Sequence, residues 1–134
     1  MATQITNNRP EDIVVNILGT PWRITWKTKE EDPHLVECDG YCDESIKTIV
    51  VEWFKWDGMC KNNMASYAAT VVRHEMIHAM LYESGLDANT HNNWARNEEM
   101  VDWFAIQLKK LADTILPISK QVCENLEKDL TIVE

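Results

Sequence analysis

The sequence predicts an α+β fold: a small, mostly antiparallel sheet, built of a hairpin plus an edge strand, packed on one long helix and a second helix. Three observations carry this. Residues 13–18 and 22–26 read as two strands around Gly19-Thr20-Pro21. From Met59 onward the apolar residues take helical spacing, with no Pro or Gly until Gly85. A further helical stripe follows over Trp94–Thr114. At 134 residues and 45% apolar content, the chain suits a single domain, 1–134, that buries a core without needing a disulfide or metal to fold.

In order, residues 1–11 form a polar lead-in. Ile13 to Leu18 is β-branched and apolar, and Trp22, Ile24 and Trp26 alternate with Arg23 and Thr25, so the pair reads as a hairpin. Lys27–Pro33 is a charged loop, and Leu35–Cys38 a short strand. Residues 45–51 form the edge strand, which ends at the aromatic segment Trp53–Gly58. The first long helix runs from about Lys61 to Ser84, with Asn62 or Asn63 as N-cap and Gly85 at C′. Leu86–Asn93 is turn-like. The second helix starts near Asn93 or Trp94 and stops at about Thr114, before Pro117. A third, shorter helix covers 118–128.

The formal net charge of −9 argues against nucleic acid or an anionic membrane surface as partner. The first nine residues carry no apolar signal region, and no apolar run approaches the ~20 residues of a membrane span, so the expected compartment is the cytoplasm. Cys38 and Cys42 are close, but Cys60 and Cys123 are isolated, so reduced cysteines are expected rather than a zinc cluster of two close pairs.

The first long helix contains His74-Glu75-Met76-Ile77-His78. Two histidines four apart stack on one helix face and can share a zinc ion, with the glutamate between them in reach of zinc-bound water. A catalytic site needs a third protein ligand and an open position. The candidates are Glu98 on the second helix and His91 in the connection. Glu98 and Asp102 are also four apart, so one carboxylate can bind metal while the other accepts from a histidine's remote nitrogen. Tyr67 and Tyr82 could offer a hydroxyl to a substrate oxyanion, although helical tyrosines are more often packing. Glu99 is expected in solvent.

His74-Glu75-x-x-His78 followed by Asn97-Glu98-x-x-x-Asp102 resembles the gluzincin zinc metallopeptidases. The arrangement over residues 12–112 looks like the small ImmA/IrrE-type members found in phages and mobile elements. The resemblance implies His74, His78 and Glu98 as zinc ligands, Glu75 as general base, and Asp102 with Asn97 orienting the histidines. It implies hydrolysis of a peptide or protein substrate, held as an added strand along the edge strand and natural to a regulatory protein such as a phage repressor. Two alternatives remain: a catalytically silent zinc-binding interaction module, and a SprT-like protease with His91 as third ligand. Oligomeric state is left open.

Overall fold

The computed structural model describes residues 9–53, 64–89 and 91–131. Among the described residues, four strands form one sheet: β1 (Ile13–Ile17), β2 (Thr20–Lys27), β3 (Gly40–Asp43) and β4 (Thr48–Glu52), in the order β1-β2-β4-β3. Among the same residues, three α-helices follow, α1 (Met64–Glu83), α2 (Leu86–Asn89) and α3 (Glu98–Thr131), with 3-10 turns at Pro33–Val36 and His91–Arg96. The architecture is α+β, and two of its three strand pairings are antiparallel.

The first hairpin turns on Leu18 and Gly19, both at positive φ (49° and 97°). That two-residue conformation matches the right-handed twist of the strands it joins. Asn16 Oδ1 accepts from Gly19 N at 2.7 Å and pins the turn. The Trp22/Ile24 face of β2 is buried, as its alternation requires, against Ile17, Ile49, Val51 and Ala79.

The edge assignment needs correcting. Residues 48–52 are not an edge: β4 lies inside the sheet, parallel to β2 (Ile24↔Ile49) and antiparallel to β3 (Cys42↔Ile49). Its residues Ile49, Val50 and Val51 are buried, as a strand between two neighbours should be. The edge on this side is β3, in a stretch between the expected strands that opens on the turn residues Asp39-Gly40. Its residues are all half-buried, so no alternation announces it. The expected strand at Leu35–Cys38 is instead the 3-10 turn, started by Pro33 and capped by Asp32, whose side chain accepts from His34 N.

α1 packs on the sheet through Val71, Val72 and Met76. Its other side meets α3 and the 3-10 turn before it, through Ile77 and Leu81 against Ala95 of the turn and Met100 and Val101 of α3. Ala79, Ala95 and Ala105 are fully buried, and such small side chains let the backbones approach closely. Arg73 ties the two helices, Nε donating to Ala105 O at 2.7 Å. Gly85 ends α1 at φ 82°, its N–H donating to Tyr82 O at 3.0 Å. The expected caps Asn62 and Asn63, and 54–58 of the aromatic segment, lie outside the described residues.

Two helix boundaries also differ from expectation. Leu86–Asn89 is wound into α2 and His91–Arg96 into a 3-10 turn, and α3 begins only at Glu98. It then runs 34 residues without the expected break, carrying Pro117 inside it. Proline removes one N–H and crowds the carbonyl four residues back. Here the helix is exposed on all sides, so water can serve the freed carbonyl, and flanking Leu, Ala, Lys and Glu favour helix. Among the described residues, no helix is long and apolar enough to cross a membrane.

Candidate metal centre

His74 and His78 lie on the α1 face turned toward the start of α3. Both are mostly covered, while Glu98 and Asp102 on α3 are exposed. Asn97 fixes where α3 starts: its Oδ1 accepts from Met100 N at 2.8 Å. Asn97 thus caps the helix that carries Glu98, while Asp102 on the same helix is the side chain that meets a histidine ring from behind.

The acceptor atoms converge. His74 Nε2 and His78 Nε2 are 3.1 Å apart. The Glu98 carboxylate straddles them, Oε2 3.0 Å from His74 Nε2 and Oε1 3.0 Å from His78 Nε2. On its far side, His74 Nδ1 is 2.7 Å from Asp102 Oδ1. A carboxylate accepts, so Nδ1 carries the proton and the Nε2 lone pair of a neutral ring points inward. Lone pairs this close repel unless a proton or a cation sits between them. Ligand atoms of a tetrahedral zinc site, with bonds of ~2.0–2.1 Å, stand about 3.3 Å apart, close to the spacing seen here. Two imidazoles and a carboxylate also form a donor set suited to zinc. The residues present therefore fit a metal ion. Among the described residues, His74, His78 and Glu98 are the one group of at least three side chains placed to hold a metal.

Glu75 turns the other way, toward the sheet, and is buried (6% exposed). Its Oε1 lies 3.8 Å from His74 Nε2, facing the ligand group. Burial pushes its carboxyl above the usual range, against the opposing pulls of His74, the Cys42 thiol and His78. Cys42, on β3, places Sγ 3.0 Å from Glu75 O and 3.4 Å from Glu75 Oε2. Burial, aided by the Glu75 charge, raises the Cys42 thiol far above its ordinary value, so it stays protonated.

The group opens into a cleft of about 650 Å³. One wall is Cys38–Cys42 with Glu44; the others bring Tyr67, Thr70 and Val71 from α1 and Ile106 from α3. The outer edge of β3 is unpaired among the described strands, so a strand edge borders the cleft.

The remaining candidates separate clearly. His91 sits on the exposed 3-10 turn and outside the cleft wall, so the structure brings Glu98 and not His91 to the histidine pair. Tyr82 packs edge-on against Trp22 and under Lys47, away from the metal group. Tyr67 lines the cleft, and its hydroxyl donates to Asp39 Oδ2. Glu99 is exposed, as expected. Cys38, Cys42 and Cys123 are free thiols, and Cys60 lies outside the described residues.

Comparison with protein families, curated proteins and solved structures found no match.

Three contributors carry no signal in the sequence. Cys42 looks like one member of a loose cysteine pair, Arg73 like an ordinary helix cation, and Gly40 like a turn residue. Only the β3–α1 and α1–α3 packing gives them their places.

Proposed function

We propose that the protein is a zinc-dependent peptidase, acting in a reducing compartment such as the cytoplasm. One observation carries the reading. A buried glutamate, Glu75, presents an oxygen to a group of two imidazoles and a carboxylate beside an open cleft. A site that only held a metal would have no use for that carboxylate.

His74, His78 and Glu98 would hold the ion, and Asp102 fixes the His74 ring. A bound ion would supply Lewis acidity toward a carbonyl and would lower the pKa of a bound water toward neutral. Glu75 is the base: it takes a proton from the attacking water and passes it to the departing amine. Its raised affinity for protons, set by burial, suits both halves of that task. The free edge of β3 offers main-chain donors and acceptors to an extended peptide, with little demand on side-chain identity. A regulatory protein such as a phage repressor is the substrate carried by the gluzincin resemblance.

The test compares wild type with Glu75→Gln, on unfolded protein and on candidate repressors, with and without chelator. The expected result is one equivalent of zinc in both proteins, chelator-sensitive cleavage by wild type, and a loss of ~100-fold or more in the variant. Stoichiometric zinc with no cleavage by wild type would overturn the peptidase reading and leave a metal-binding interaction module.

A further inference from the structure

We propose that Cys42 is a positioning residue that holds the Glu75 carboxylate from the sheet side through its thiol. The inference rests on the peptidase reading, since it assigns Cys42 a part in the work of the same base.

The two Glu75 oxygens face different partners. Oε1 looks toward His74 Nε2 at 3.8 Å, and Oε2 toward Cys42 Sγ at 3.4 Å. Among the described residues, the thiol is the only hydrogen-bond donor to this carboxylate. Its second acceptor, the Glu75 carbonyl at 3.0 Å, belongs to the α1 backbone and has a helical partner available in Ala79 N–H. The carboxylate has no such alternative, and a buried carboxylate without a donor is costly. The S–H bond is therefore best used on Oε2, which leaves Oε1 for the reacting water.

A second observation places the same carboxylate. Gly40 stands two residues before Cys42, on the same face of β3. A Cβ there would lie 3.4 Å from Glu75 Cγ and 2.9 Å from Val71 Cγ1. The face of β3 beneath α1 thus leaves room for the glutamate stem at one position and meets its head at the next. A thiol suits the second position because it is a weak donor. It orients the carboxylate without competing strongly for the lone pair that must take a proton.

The test uses the zinc-loaded full chain and the variants Cys42→Ser, Cys42→Ala and Cys42→Val. Serine keeps a donor, while valine keeps bulk without one. Zinc content stays at one equivalent in all, because Cys42 is not a ligand. In Ala and Val, kcat falls about 10-fold with KM within about twofold, and Ser recovers most of the loss. The readout without turnover is the infrared S–H stretch of Cys42, isolated by difference against Cys42→Ser. It moves to higher wavenumber in Glu75→Ala, as a released donor should. Wild-type kcat in Cys42→Val, or an S–H band indifferent to Glu75, would overturn the proposal. A wild-type chain that cleaves nothing overturns the peptidase reading instead, and the infrared comparison still decides the thiol–carboxylate contact.

Discussion

His74 and Asp102 meet across the two long helices, Nδ1 to Oδ1 at 2.7 Å, and this contact settles which nitrogen of His74 faces the ligand group. A histidine held this way is a better ligand than a free ring, because its proton is fixed and its inward nitrogen is more basic. Asp102→Ala is expected to weaken zinc binding about 10–100-fold without changing stoichiometry. Competition against a chromophoric chelator measures it, and an unchanged affinity would remove Asp102 from the site.

Metal removal should loosen the fold, because the side chains placed to hold an ion come from two helices that a bound ion would join. An ion at about a hundredfold its dissociation constant adds about 2.7 kcal/mol, or about 8 °C in Tm for a chain of this size. Thermal unfolding with and without chelator reads the shift. Glu98→Ala should abolish most of it, since Glu98 is the side chain of α3 placed to hold the ion.

Gly40→Ala tests the contact between β3 and α1. The new Cβ would stand 2.9 Å from Val71 Cγ1 and 3.0 Å from the Val50 carbonyl oxygen. Overpacking of this kind costs about 1–3 kcal/mol, measurable by urea unfolding. Adding Val71→Ala should recover part of the loss, because it relieves the side-chain clash and leaves the backbone one.

The acid limb of stability should report the Arg9–Glu31 pair, 2.5 Å apart. Arg9 first, then the Thr28 backbone and hydroxyl, pulls the Glu31 carboxyl down to about 2 from an ordinary 4.5. The unfolded chain therefore takes up this proton at higher pH than the folded one. The stabilisation is fully present above pH ~4.5 and is lost as pH falls toward about 2. The stability difference between wild type and Glu31→Gln should shrink across that window. Both side chains are well exposed, so the effect should also weaken with salt.

Legibility in the sequence followed the strength of local patterning. The first hairpin could be read because Trp22 and Ile24 alternate onto a buried face, and α1 because a long helical stripe ends at Gly85. The converging side chains were legible because a spacing of four places His74 with His78 and Glu98 with Asp102 on shared helix faces, whatever the tertiary packing. β3 was not legible: a half-buried edge strand that starts at Gly40, straight after Asp39, opens on a turn signal and shows no period. The position of β4 depends on which strands flank it, which no local pattern records. Pro117 misled because its usual effect assumes that the carbonyl it frees has nowhere to turn, and on an exposed helix water is available. The thiol of Cys42 acquires meaning only once β3 lies under α1.

All three of the converging side chains placed to hold a metal come from helices, two from α1 and one from α3, while the sheet side contributes one wall of the cleft and the thiol beneath Glu75. On the proposed reading, capture of an ion and recognition of whatever lies along β3 would thus be written in separate stretches of chain, 74–102 and 38–44. Substitutions could accumulate in the second stretch and leave a protein that still takes up its ion in full. A metal assay alone would score such a descendant as intact, so loading and turnover have to be measured as independent traits.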